Sequence, residues 1–243
     1  MGNGAAFFDI DGTIYREGLI TEVFKKMIKY DLIDNSKWHS EVRPAFINWD
    51  RRLGDYDTYL LKMVDVYSEA VKGISPFHMA YVAKRVIEQK GDRVYTFSRE
   101  RIKWHKEEGH KLIAISGSPI ELVSEVANKY GMDDYRGTIY EVDKNGKYSG
   151  EIIPMWDSKS KKNAILEIVS RNKLDLQACY AYGDTSGDFT MLKMVGYPFA
   201  INPTKELITR ISEDAELRKK IKIIVERKDV TYRLNIEGLD CFN

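Results

Sequence analysis

Short apolar stretches recur along the chain, each followed by a turn and then a helix-like pattern. Ala5-Ala6-Phe7-Phe8 is the first, Lys111 to Ile115 the second, Ala178 to Tyr182 the third and Tyr197 to Ile201 the fourth. Apolar runs of this length suit strands covered on both faces, as in a parallel sheet. The helices between them supply the crossovers, which should be right-handed. The pattern predicts an α/β fold with a doubly wound parallel-sheet core.

One interval breaks the alternation. Between Glu17 and Gln89 the apolar positions follow helical spacing and no strand is evident. Phe24, Met27 and Ile28 form one such set, and Tyr59, Leu60, Met63, Val64 and Tyr67 another. The division expected is a helical insert at 17–89 within a discontinuous α/β core, 1–16 and 90–243. A second interruption, Arg136 to Ile153, carries Lys144-Asn145-Gly146-Lys147 between alternating flanks and predicts a β-hairpin. Beyond Asn202 the tail begins helix-like; Ile221 to Val225 and Val230 to Ile236 then resemble strands at a sheet edge.

Composition narrows the class of protein. Hydrophobic residues make up 43% of the 243, enough for a sizeable core. Lys plus Arg number 38 and Asp plus Glu 37, so no global field for nucleic acid or an anionic membrane is expected. No apolar run approaches the roughly 18–20 residues of a membrane-spanning helix. The N-terminal Met1-Gly2-Asn3-Gly4-Ala5-Ala6 carries neither a secretory signal nor, with Ala at position 6, a myristoylation pattern. The two cysteines, Cys179 and Cys241, imply no disulfide framework, and Cys179 in its apolar run is read as a small buried thiol. The expectation is a cytoplasmic protein with a small-molecule partner.

The polar residues at the strand ends carry the candidate chemistry. Phe7-Phe8-Asp9-Ile10-Asp11-Gly12-Thr13 places two carboxylates just after the first strand, where ligands bind in open α/β sheets. A calcium loop would need Gly at the sixth position and Glu at the twelfth; counted from Asp9, Ile14 and Ile20 stand there. Ile115-Ser116-Gly117-Ser118-Pro119-Ile120-Glu121 ends the second strand. Ser118 and Glu121 read as a capping box with Pro119 at the first helical position, and Gly131 as the helix stop. Ser116 is left over, a hydroxyl beside free helix N–H groups that suits a phosphate oxygen.

Asp157-Ser158-Lys159-Ser160-Lys161-Lys162 precedes a helix bearing Ile165, Leu166, Ile168 and Val169. Lys162, three and four residues before Ile165 and Leu166, is expected on their inward side, with Lys161 as the alternative. Tyr182-Gly183-Asp184-Thr185-Ser186-Gly187-Asp188 follows the third strand: Asp184 stands at the sheet's carboxyl edge and Asp188 starts a helix, a position that capping alone explains.

Acids, a hydroxyl and a lysine are thus brought to one sheet edge. In this order, D-x-D-G-T, Ser-Gly, a lysine before a helix and G-D-x-x-x-D, the chain resembles the haloacid dehalogenase superfamily of phosphohydrolases over nearly its whole length. The insert resembles the type-one cap of the subfamily that includes phosphoserine phosphatase. The resemblance implies a Rossmann-like core and a Mg²⁺-dependent phosphatase acting on a small phosphomonoester. It makes Asp9 the nucleophile and Asp11 the acid and base. Ser116, Gly117 and Lys162 would bind phosphate; Asp9, the Asp11 carbonyl and Asp184 would hold Mg²⁺, with Asp188 and Thr13 in support.

Phosphoserine phosphatases also use a cap arginine and an early glutamate. Aligned without gaps, Leu61 stands at the arginine's place and Glu17 lies one residue from the glutamate's, which counts against phosphoserine. Arg51 and Arg52 are further candidates for an anionic group, although a solvated helix end suits them better. A non-catalytic phosphoacceptor or binding protein is the alternative from another class. Receiver domains, which also gather acids, a hydroxyl and a lysine at a sheet edge, have neither the helical insert nor the second acid.

Overall fold

The computed structural model describes residues 4–16 and 18–236, with the Asp57 side chain left aside. Strand β1 (Ala5–Phe8) is followed by helices α1 (Leu19–Lys29), α2 (Arg43–Asp50), α3 (Tyr56–Ala70), α4 (Pro76–Lys90) and α5 (Thr96–Glu107). Next come β2 (Lys111–Pro119), α6 (Ile120–Tyr130), β3 (Asp134–Val142), β4 (Tyr148–Ile153) and α7 (Ser158–Asn172). The last third holds β5 (Tyr180–Gly183), α8 (Phe189–Met194), β6 (Tyr197–Ile201), α9 (Lys205–Glu213), α10 (Ala215–Lys220), β7 (Lys222–Arg227) and β8 (Val230–Leu234).

The strands form one eight-stranded sheet in the order β4-β3-β2-β1-β5-β6-β7-β8. All neighbours are parallel except the two edge pairs, β3–β4 and β7–β8. The period-two side-chain alternation of a strand explains why the central runs are apolar throughout. Ala6 and Phe8 of β1 pack on one face with α1, α3, α4 and α6, whereas Ala5 and Phe7 pack on the other with α7, α8 and α9. The core is α/β and doubly wound, as the apolar pattern predicts.

The third strand starts later than expected. Ala178 ends a 3₁₀ turn, Leu176–Ala178, and the strand starts at Tyr180. In that turn Asp175 accepts from the Gln177 amide, which holds the chain out of the ladder. The hairpin forms as expected, with Gly146 at φ 71°, and the tail supplies the β7–β8 edge pair.

The interval between β1 and β2 contributes helices and no strand among its described residues. Its first helices begin differently. α3 has Asp55 accepting from the Thr58 amide, and α4 has Ser75 capping the Phe77 amide with Pro76 behind it, the arrangement favoured at helix starts. α1 has no side-chain cap of its own.

β1 is where the winding reverses: β2 lies on one side and β5 on the other. A crevice opens beyond the carboxyl ends of the strands at such a point. Asp9 continues β1 into that crevice, its amide bound to the Tyr182 carbonyl of β5 at 2.9 Å.

Candidate active site

The chain leaves β1 through a tight turn in which the Ile14 and Tyr15 amides both bind the Ile10 carbonyl, at 2.9 and 2.8 Å. Gly12 has φ +81°, and a Cβ there would lie 2.0 Å from a carboxylate oxygen of Asp184. Only glycine satisfies both conditions. Thr13, fully buried, donates from Oγ1 to Asp184 Oδ1 at 3.0 Å, while Ser98 of α5 donates to the Thr13 carbonyl at 2.6 Å. The turn thereby holds Asp9 and Asp184 side by side.

Asp11 is fixed from two directions. The Leu19 amide donates to Oδ1 and the Ser118 hydroxyl to Oδ2, both at 2.6 Å. Burial raises the Asp11 proton affinity, and these two donors and Lys161 oppose the rise. The bond from Ser118 corrects its assignment to a capping box. β2 runs on to Pro119 and α6 starts at Ile120, so Ser118 lies in the strand and its side chain turns to Asp11. Glu121 accepts instead from the Tyr148 hydroxyl at 2.6 Å. Gly131 does end α6 in the left-handed region, as expected.

Ser116 is buried, and its Oγ accepts from the Ser118 amide at 3.1 Å. That bond uses a lone pair and leaves the hydroxyl proton to be aimed elsewhere. Thr138 holds the Gly117 carbonyl at 2.7 Å, and a Cβ on Gly117 would lie 2.8 Å from the Trp156 Cβ.

The lysine that reaches the carboxylates is Lys161, not Lys162. Lys161 Nζ lies 2.6 Å from Asp9 Oδ1 and 2.5 Å from Asp188 Oδ1, with the whole residue buried. Lys162 is exposed. The inward face of α7 is Lys161, Ala164, Ile165 and Ile168, spaced three, four and seven residues, while Leu166 is 45% exposed. Reading Leu166 as inward rotates the helix by one position and selects the wrong lysine.

Asp188 is also more than a helix start. It is fully buried, and besides Lys161 it accepts from the amides of Asp184 and Thr185 at 3.1 Å each. Close packing with Gly183, where a Cβ would lie 2.4 Å from that of Asp188, keeps it beneath the site.

The electrostatics of this group are unbalanced. Asp9, Asp184 and Asp188 offer oxygens within 4.8 Å of one another, with Asp11 nearby, and Lys161 is the one cation among them. Burial pushes the Asp9 carboxyl up to about 8; the Asp188 and Asp11 charges add to the rise, and Lys161 opposes it. Asp184 is raised well above the carboxylate range by burial first and then by Asp9 and Asp188. Lys161 is pushed upward: burial works against its charge, but Asp188 and Asp9 outweigh burial. Buried like charges at this spacing call for a further cation. Oxygen donors only, at least two of them carboxylates, suit a hard divalent ion such as Mg²⁺.

Above the carboxylates lies a cavity of about 490 Å³. Asp9, Asp11, Ser116, Gly117, Lys161 and Leu61 are among the residues that line it. Arg51 and Arg52 are not among its walls; both are exposed at the end of α2. Glu17 lies outside the described residues, as does Cys241, whereas Cys179 is buried. Trp156, Glu206 and Arg210 also line the cavity, and sequence reasoning missed all three. Arg210 had a legible signal, since it falls on one side of an amphipathic helix with Glu206 one turn earlier. Trp156 had none, because it stands in an irregular segment between β4 and α7.

The sequence profile of haloacid dehalogenase-like hydrolases matches residues 6–193. The chain belongs to this family. Among relatives, the "Inhibition of morphological differentiation protein" of Streptomyces azureus is 26% identical over 84% of the chain and 73% of its own length. A histidinol-phosphatase of Neisseria meningitidis is 23% identical over 89% of the chain and 94% of its own length. Relatives from Mycobacterium tuberculosis are 33% identical over 119 residues, and the chain spans 38% of their length. A substrate-bound phosphoserine phosphatase shares the fold, with a TM-score of 0.61 and 17% identity over 90% of the chain and 97% of that structure.

Proposed function

We propose that this protein is a magnesium-dependent phosphatase, active in the cytoplasm, that hydrolyses a small phosphomonoester by way of an aspartyl-phosphate on Asp9. The reading is carried by the Asp9–Lys161–Asp188 arrangement beside Asp184, set beneath a cavity at the reversal point of the sheet. The phosphatase named among relatives that match nearly end to end adds support.

Asp9, Asp184 and the Asp11 carbonyl would hold Mg²⁺, which when bound supplies positive charge for the transferring phosphoryl group and relieves the repulsion between that group and Asp9. Asp9 attacks phosphorus in line with the departing oxygen. Asp11, whose proton affinity is raised by its burial, gives its proton to that oxygen, and the alcohol leaves. The ionised Asp11 then takes a proton from water, which attacks the phosphoryl group on Asp9 and releases inorganic phosphate. Lys161, the Ser116 hydroxyl and the Gly117 amide neutralise the phosphoryl oxygens in both steps. Asp188 positions Lys161, and Thr13 positions Asp184. The helical interval 17–89 acts as the cap that selects the leaving group.

Phosphoserine phosphatase proper is a second reading, favoured by the shared fold. Against it, no described cavity residue from the helical interval carries a charge, and Leu61 stands where an arginine would be needed. A non-catalytic phosphoacceptor would have no use for Asp11 held between two donors.

Phosphate release from a panel of phosphomonoesters, with Mg²⁺ or with EDTA and alongside Asp9→Asn, tests the proposal. Turnover that needs the metal and is lost in the variant is expected. A folded protein that turns over none of them and does not trap aluminium fluoride with Mg²⁺ would overturn it.

A further inference from the structure

The cavity has two chemically distinct halves. Its charged lining, including Asp9, Asp11, Asp157 and Lys161, comes from the α/β part of the chain. The helical interval contributes Ile20 from α1 and Tyr56, Leu60, Leu61 and Val64 from α3, and no described charged residue. Trp156 joins that apolar side. It cannot shift far, because its backbone and Cβ are packed against Gly117 and Gly187 so closely that neither glycine has room for a Cβ.

Phosphate occupies only a fraction of 490 Å³, which is within the size range of pockets for drug-sized ligands. Where the helical interval lines the remainder, no described side chain carries a charge to pair with an ammonium or a carboxylate. Placing a charged leaving group there leaves it desolvated and unpaired, whereas an apolar one gains from burial. The one cation besides Lys161 among the described lining residues, Arg210, is already engaged. It donates to the Ser186 carbonyl at 2.9 Å and lies 4.3 Å over the Phe189 ring, and Glu206, one turn earlier, sets a carboxylate in the same cavity.

Resting on the phosphatase reading, we propose that the substrate is a phosphomonoester with an apolar leaving group, aryl or alkyl, seated against Trp156 and the Ile20, Leu60, Leu61 and Val64 wall. The charged half of the cavity takes the phosphoryl group and the helical half selects by hydrophobic burial.

The first test is kcat/KM for a series of n-alkyl phosphates and for phenyl phosphate, against phosphoserine. Each methylene buried should raise kcat/KM by about two- to fourfold until the cavity is filled. Phosphoserine should fall below the alkyl phosphate of similar size by tenfold or more. Leu61→Arg, at a half-exposed position, should narrow that ratio by favouring the carboxylate-bearing compound. The second test measures binding alone, with alkylphosphonates of the same chain lengths, Mg²⁺ and the Asp9→Asn protein. Affinity rising with chain length in the absence of any turnover by the wild type would sustain this proposal and sink the catalytic one. A flat series in both tests, no binding of any phosphonate, or a preference for doubly anionic compounds that Arg210→Ala abolishes would overturn it.

Discussion

Two buried polar clusters meet at the end of β5, and they are built on opposite rules. Below the sheet edge, Asp9, Asp11, Asp184 and Asp188 share Lys161, so acids outnumber cations. Within the face covered by α5, His105 binds the Tyr182 hydroxyl and His110 at 2.9 Å each, and Arg101 donates to the same hydroxyl at 3.0 Å. In this second cluster aromatic rings enclose the polar atoms: Phe8 and Phe199 stack on Tyr182, and Trp104 and Tyr180 sit edge-on to His105. Tyr182 closes one cluster and Asp184, two residues on, belongs to the other. A buried polar group with its partners in place stabilises a fold, whereas buried charge left in excess does so only when something else binds. The first cluster is arranged for a ligand; the second is complete without one.

The largest expected effect breaks the first cluster. Asp9→Asn should lower kcat by at least about 10³-fold, as measured by steady-state phosphate release, since the variant lacks the proposed nucleophile. Lys161→Ala should follow, with a loss on the order of 10²-fold or more. It should also destabilise the fold by about 3–5 kcal/mol in chemical denaturation, because it leaves the buried Asp9 and Asp188 carboxylates without the cation that bridges them. Lys162→Ala is its control and should stay within about 0.5 kcal/mol of the wild type.

Ser118→Ala should cost roughly tenfold in kcat. Loss of a donor to the ionised form raises the Asp11 pKa, so the limb of the pH–rate profile that reports Asp11 should move upward. An unchanged profile would mean that Ser118 does not act on Asp11.

Stability against pH sharpens the comparison, because the clusters titrate with opposite sign. Burial, with smaller contributions from Arg101 and His110, pushes His105 down to about 3. Its folded pKa is depressed, so its contribution is full above about pH 6.5 and is lost as pH falls towards 3. The difference between wild type and His105→Gln should shrink by about 2 kcal/mol between pH 7 and pH 5. Asp9, pushed up to about 8, behaves the other way: without metal its penalty grows as pH rises from about 4 towards 8. Asp9→Asn should therefore be more stable than wild type in EDTA, increasingly so towards pH 8. Mg²⁺ should reverse the order by binding the wild type.

Much of this was legible in the sequence, and the misses share a cause. Unbroken apolar runs marked the central strands because β1, β2, β5 and β6 are covered on both faces. Asp9, Asp11 and Asp184 were legible because strand ends in a doubly wound sheet all face one crevice. Errors arose where one residue of register decides the outcome. Lys161 ranks second to Lys162 in the sequence because Ala164, the small member of the inward face of α7, carries a weak apolar signal and Leu166 a strong one. Ser118 looked like a cap because it stands three residues before Glu121, and only the extension of β2 to Pro119 turns it inward. Asp188 and Trp156 gain their importance from burial against Lys161 and against glycines remote in sequence, contacts that no local pattern encodes.

The bond from the Leu19 amide to Asp11 has a mechanical consequence. Leu19 is the first residue of α1, so the same helix that brings Ile20 to the cavity wall begins on the Asp11 carboxyl group, the acid of the proposed mechanism. At 2.6 Å that contact tolerates only a few tenths of an ångström of displacement before it weakens. A movement of α1 away from the sheet would widen the space for the leaving group and, in the same stroke, withdraw a donor from Asp11 and tighten its hold on the proton. If Asp11 is the acid of the proposed mechanism, whatever sets the position of α1 thereby sets the timing of proton release.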